Sequence, residues 1–418
     1  MDPTDGTTTV IAPTHGSWRA LHERSRVDGP AEIRVGDDSL LRNATFYVDD
    51  LGADLALSGR FRAAFKGGVA TVETAGRYPF GAEIGVTQVL RYAANHVRGV
   101  TDLHWPAGAT VRRHLGVATV FLPGRWERLY CVPPCLHQSE GRTAAWQDIP
   151  AVAPGSGMIG HWHRPPLALV FERADGTRVE VGTGGDVWRW ERNLGFGPEA
   201  ASYKVMAEAD GLRVVREPLM TCAEVQPARR VYRLSWYLAW SPAGGLEAPR
   251  GFPEPVPVSF SAQGEALVRQ AAGGGAVPSL LLDMNAWPGP APARRAESAA
   301  AFLTGQRAAA WCWESAALQR AFRRIVRQLA ALGPDGFLTL RGLEPGACWD
   351  PAHCERPGEP QPHWDLDALL ALADWGRQQL GPGWRIAVDT PGGAVLPSMA
   401  GLFAPSGFAA AEGEDADA

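Results

Sequence analysis

The feature that most constrains this chain is a series of short alternating apolar runs separated by tight-turn residues. Leu167 to Glu172 (LALVFE) is followed by Ala174-Asp175-Gly176 and then RVEVG. Tyr203 to Glu208 (YKVMAE) is followed by Asp210-Gly211 and then LRVVRE. Asp-Gly supplies the positive-φ positions of a tight hairpin turn, and β-branched residues alternate on either side. Gly67-Gly68 separates residues 61–66 (FRAAFK) from 69–74 (VATVET) in the same way. Residues 31–35, 40–48 and 231–240 (VYRLSWYLAW) also read as strands. The texture persists to about residue 262 without a convincing amphipathic helix. It specifies a large antiparallel β-sandwich.

Beyond that point the period changes. Residues 279–283 (SLLLD) read as a short buried strand. Leu318, Phe322, Ile325, Val326 and Leu329 recur at spacings of three and four, which predicts a helix over 317–332 closed by Gly333-Pro334. Residues 337–340 (FLTL) read as a strand. Asp365 is placed to cap a helix carrying Leu366, Leu369, Leu370 and Ala373, closed by Gly381-Pro382. Residues 384–388 (WRIAV) follow as a strand. Strand, helix, strand, helix, strand implies a small parallel α/β unit. The expected class is therefore mainly β, a large antiparallel β-sandwich followed by a small α/β unit. The expected organisation is a loose N-terminal arm over 1–29, a β-sandwich domain over 30–262, an α/β domain or partial barrel over 263–404, and a disordered acidic tail over 405–418.

Composition narrows the function classes. The 418 residues are 45% hydrophobic and 20% charged, with a net charge of −5. That balance belongs to a folded domain protein and argues against nucleic acid as a partner. No run is long and apolar enough for a bilayer span, so no membrane partner is expected. The start, MDPTDGTTTVIAPTHG, has neither a basic n-region nor an apolar h-region, and the expected location is the cytoplasm. The six cysteines are too few for a disulfide framework. Oligomeric state is left open.

Four groups of residues are chemically suggestive. The three predicted parallel strands end in Asp283, Arg341 and Asp389, at the rim where loops of a parallel sheet converge on ligands. They are read either as substrate contacts or as turn and cap residues. His161 and His163 flank Trp162; on a strand both imidazoles would share a face, but no further ligand stands at an obvious offset. They are read as polar contacts or structural histidines. Asp186, Trp188 and Trp190 follow a glycine cluster that lacks the ending of a phosphate loop. Indoles at i and i+2 suit a sugar-stacking platform, or alternatively the sandwich core. Cys348, His353, Cys354 and His363 offer zinc-type donors in one Pro-rich loop, but a C-x₂₋₄-C pair is missing. The loop is read as ordinary, and no metal or cofactor is expected.

The long sandwich and the stretch Gln88 to Trp105 (QVLRYAANHVRGVTDLHW) resemble the galactose-mutarotase-like β-supersandwich of carbohydrate-active proteins. Mutarotase-type epimerases carry an Asn-His pair in such a strand region, with the histidine acting on the sugar ring oxygen; here the matching residues are Asn95-His96. The resemblance implies a supersandwich-like fold and a sugar or oligosaccharide as ligand. It spans at most about residues 30–260. The remainder departs from the full barrel that follows such sandwiches in some of these proteins. The expected function is a carbohydrate-active protein, with His96, His161, Asp186 and Asp283 as catalytic candidates. His163, Trp188, Trp190, Arg341 and Asp389 are the substrate-binding candidates. The rival is a non-catalytic structural or assembly protein, in which the tryptophans are core and the polar strand ends are caps.

Overall fold

A computed structural model describes residues 8–12, 18–23, 29–47, 59–66, 69–77, 85–93, 95–108, 114–132, 146–150, 157–162, 166, 168–183, 203–220, 230–241, 256–257, 259–260, 266–267, 279–283, 293–294, 296, 299–306, 311–341, 347–353, 363–364, 366–381 and 383–389. Among the described residues up to Ser241, the regular elements are all strands. In chain order these are β1 (Thr8–Ile11), β2 (Trp18–Glu23), β3 (Glu32–Val35), β4 (Asp38–Tyr47), β5 (Gly59–Lys66), β6 (Val69–Arg77), β7 (Gly85–Ala93), β8 (His96–His104) and β9 (His114–Pro123). They continue as β10 (Arg128–Val132), β11 (Gln147–Asp148), β12 (Gly157–Trp162), β13 (Ala168–Glu172), β14 (Arg178–Thr183), β15 (Tyr203–Glu208), β16 (Gly211–Met220) and β17 (Val231–Ser241). Two antiparallel sheets result. One has eight strands in the order β1-β2-β3-β4-β9-β16-β15-β12; the other has nine, in the order β11-β10-β13-β14-β17-β8-β7-β6-β5.

The sheets share one core. Ile11, Trp18, Ile33, Val120, Val205 and Val214 of the first sheet meet Tyr92, Phe171, Val181, Leu238 and Trp240 of the second. This is the face-to-face packing of a sandwich, and it follows from alternation along each strand. Gly99 of β8 shows how tightly the core closes: a Cβ there would stand 2.2 Å from Trp236 Cε2. Gly99→Ala is expected to cost about 3 kcal/mol through overpacking, read as a lower urea midpoint. An unchanged midpoint would mean that the indole has room to move.

Within the stretch expected to be a loose arm, residues 8–11 and 18–23 are strands. They supply β1 and β2, which extend the eight-stranded sheet at its edge. Trp18 anchors them, its ring edge-on to Trp240 at 5.0 Å between centroids. Their inward residues include Ala20 and His22, which carry a weak hydrophobic signal, so the alternation is hard to see in sequence.

The later elements include the short strands β18 (Val256–Pro257), β19 (Ser259–Phe260) and β20 (Ala266–Leu267), then β21 (Ser279–Asp283). Helices α1 (Ala299–Thr304) and α2 (Ala316–Ala330) precede β22 (Asp335–Arg341). After β23 (Ala347–Cys348) and β24 (His363–Trp364) come α3 (Leu366–Leu380) and β25 (Gly383–Asp389). Strands β18, β21, β22 and β25 form a parallel sheet in that order. β18 lies within the expected sandwich domain but joins this sheet, at its edge, where Pro257 removes no central ladder bond. Helix α2 buries Leu318, Phe322, Ile325, Val326 and Leu329 on one face. Gly381, at φ 82°, ends α3 in the left-handed region that favours glycine.

The α/β unit lies against the outer face of the nine-stranded sheet. Ala168 and Tyr237 of that sheet share a cluster with Leu282, Phe322, Leu338, Leu369 and Trp384. Every residue of β13 is consequently buried. Among the described residues, no helix is long and apolar enough to cross a membrane.

Candidate functional site

Three adjacent parallel strands set Asp283, Arg341 and Asp389 in one register row. Asp283 pairs with Arg341, and Arg341 with Asp389. Each is the last residue of its strand. The local reason is simple. In the first two strands Leu280, Leu282, Leu338 and Leu340 are buried, and Asp283 and Arg341 mark where those strands emerge. Arg341 Nη1 lies 3.9 Å from Asp283 Oδ2, and both side chains are partly exposed, at 43% and 28%. Two strand spacings separate the Asp283 and Asp389 backbones by roughly 10 Å. The row combines acceptor carboxylates with a guanidinium donor, the pair of functions that hydroxyl-rich ligands require.

His96 occupies a different setting. It begins β8, and alternation turns Val97 into the sandwich core while His96 and Arg98 face outward. That outward face is covered. Asp374 of α3 places Oδ1 3.4 Å from His96 Nε2 and Oδ2 3.6 Å from Arg98 Nη1. His96 is 0% exposed, Asp374 6% and Arg98 8%. The neighbouring Asn95 is held by its side-chain Nδ2, which donates to the Trp240 carbonyl at 2.7 Å. An imidazole that acts on a sugar ring oxygen needs an open face, whereas this one lies beneath a helix.

His161 lies on β12, at the edge of the eight-stranded sheet opposite β1, and is exposed. Its neighbour Trp162 points the other way and packs on the sandwich core. Burial pushes the nearby Cys131 thiol up to about 11, a hydrogen bond with Trp162 partly opposing it. His96 and His161 thus face away from the core on different sheets, and the fold does not bring them into one site. His163, Asp186, Trp188 and Trp190 lie outside the described residues.

Two arrangements were missed by sequence reasoning. One is the His96–Arg98–Asp374 junction. Its signal was a lone carboxylate within the apolar run LLALADW, since an acid among core residues needs a partner. The other surrounds the half-buried Trp146. Arg128 and Arg178 place their guanidinium carbons 5.1 and 5.2 Å from its ring centroid, and Tyr130 packs at 5.6 Å. Glu172 accepts hydrogen bonds from both arginines, with Arg178 Nε at 2.6 Å. Burial alone would raise the Glu172 carboxyl, but those two arginines outweigh it and hold it below the ordinary range. Nothing in the local sequence pairs Trp146 with strands β10 and β14; only their adjacency across β13 and β11 does.

No protein-family model and no curated protein matches the sequence. Solved structures do show similarity. A galactose mutarotase related enzyme from Lactobacillus acidophilus aligns at TM-score 0.33 and 6% identity, over 56% of this chain and 98% of that one. The ligand-free alpha-N-acetylgalactosaminidase from Bifidobacterium bifidum aligns at TM-score 0.34 and 10% identity, over 91% of this chain and 58% of that one. A beta-arabinopyranosidase aligns at TM-score 0.29 and 9% identity, over 92% of this chain and 54% of that one. The solved structures similar to this chain thus include galactose mutarotase-like proteins.

Proposed function

We propose that this chain is a carbohydrate-active protein that takes a sugar or oligosaccharide at the carboxyl rim of its parallel sheet. The observation that carries the reading is the in-register row of Asp283, Arg341 and Asp389 across three neighbouring strands. Carboxylates there accept hydrogen bonds from ligand hydroxyls, and the guanidinium donates to ring or hydroxyl oxygens. Asp283 is the proposed acid/base group of an epimerase- or glycosidase-like step. His161 and Asp186 as further acid/base candidates, and His163, Trp188 and Trp190 as further sugar contacts, belong to the proposal, and their mutation tests whether they share this site.

The test is a calorimetric and thermal-shift screen of the purified chain against mono- and oligosaccharides. A ligand at about 100 times its Kd adds roughly 2.7 kcal/mol, a readable rise in midpoint. Arg341→Ala is expected to weaken a sugar hit by about 10- to 150-fold, since a charge-assisted hydrogen bond contributes about 1.5–3 kcal/mol. A broad panel that gives no rise at millimolar concentration sinks the carbohydrate reading. The second reading, a non-catalytic structural or assembly protein, is favoured by one observation: His96, the residue that the resemblance matches to an epimerase histidine, is sealed under α3. It predicts the featureless screen.

A further inference from the structure

Cys312, Cys348 and His353 come from two separate connections of the α/β unit. Cys312 lies in the segment between β21 and α2, and Cys348 and His353 lie in the segment between β22 and α3. Their donor atoms all fall within 4.8 Å of one another. All three are buried, at 0%, 0% and 5% exposure. Both cysteines are thiols.

The geometry is that of a ligand set. His353 Nδ1 stands 3.5 Å from Cys348 Sγ. A tetrahedral zinc with ordinary Zn–S and Zn–N lengths sets sulfur and nitrogen roughly 3.6 Å apart. The other ring nitrogen, Nε2, lies 3.5 Å from Asp350 Oδ2. A carboxylate on the far nitrogen of a metal-ligating histidine fixes its tautomer and turns the opposite nitrogen to the metal. Asp350 is itself positioned, its Oδ1 accepting from the Ala352 N–H at 3.0 Å and its carbonyl from the His353 N–H at 3.1 Å. The first connection is also bonded within itself and to the second. The Cys312 N–H donates to the Ala293 carbonyl at 2.9 Å, and the Trp349 N–H to the Ala296 carbonyl at 2.7 Å.

We infer that Cys312, Cys348 and His353 bind a zinc ion that ties the two strand-to-helix connections together at the carboxyl rim of the parallel sheet. Two thiolates and an imidazole select zinc over hard cations. Burial of all three donors makes the site structural, since a catalytic zinc keeps an open position. The site is independent of whether the rim takes a sugar. Binding releases the thiol protons to solvent as the thiolates form, with no change of oxidation state.

Untagged protein from zinc-replete culture is measured by elemental analysis and by thiol titration after denaturation. About one zinc per chain is expected, together with a lower thermal midpoint on chelation. Cys312→Ser and Cys348→Ser are each expected to lose most of that zinc, while Cys131→Ser retains it. Because a cysteine variant can fail to fold, wild-type protein is also loaded with Co(II). Thiolate-to-cobalt charge-transfer absorption with tetrahedral ligand-field bands supports the site without any substitution. Metal-free protein after zinc loading overturns the inference, as does zinc content unchanged in Cys312→Ser. A Cys312–Cys348 disulfide found by mass spectrometry in the isolated native protein also overturns it.

Discussion

Asp374→Ala is expected to destabilise the protein by about 3–5 kcal/mol, because it removes the carboxylate that faces two buried basic side chains. Arg98 and His96 of β8 lie 3.6 and 3.4 Å from that carboxylate, on the covered face of the nine-stranded sheet. A guanidinium cannot shed its charge at ordinary pH, so the desolvation cost of Arg98 persists when the opposing charge is gone. The measurement is urea unfolding at neutral pH, with a thermal scan alongside. Replacing all three groups by apolar residues of similar size, as in Asp374→Leu with Arg98→Met and His96→Leu, is expected to recover most of the loss. That recovery separates a charge effect from lost packing. An Asp374→Ala midpoint equal to that of the wild type would show that solvent reaches the junction.

Acidification should destabilise the sandwich by up to about 5 kcal/mol through one histidine. His22 is buried between the sheets, with Nε2 2.6 Å from the Tyr92 hydroxyl and Phe61 against its ring. Burial lowers its pKa from 6.5 to about 3. The unfolded chain therefore takes up a proton below pH 6.5, while the folded chain refuses it until about pH 3. Stability from this group is complete above pH 6.5 and falls by about 1.4 kcal/mol per pH unit across that window. The same burial holds the Tyr92 phenol well above its ordinary value, so the pair stays neutral through the neutral range. Unfolding midpoints at several pH values should be steeper for the wild type than for His22→Leu. Parallel slopes would exclude His22 as the source.

The strands of the sandwich were legible because each carries its own local instruction. Alternation between Asp-Gly turns placed β13, β14, β15 and β16, and the switch to spacings of three and four placed α2. The rim row was legible for a related reason. A charged residue closing a buried run marks a strand end whatever the topology, although parallel order was needed to make Asp283, Arg341 and Asp389 neighbours. β1 and β2 escaped notice because their burial depends on Trp18 meeting Trp240, more than 200 residues away.

The class of each element was readable along the chain, since side-chain period and turn chemistry are properties of neighbouring residues. Tertiary structure alone decided what faces what. The runs LALVFE and LSWYLAW look like ordinary sandwich strands, yet their outward residues are covered by the α/β unit. That docking seals His96 under Asp374, and chain folding gathers Cys312 beside Cys348 and His353. Burial, pairing of charge and convergence of donors depend on contacts between residues far apart in the chain. No local pattern encodes them, because the free energy that selects them is gained only when whole faces leave water together.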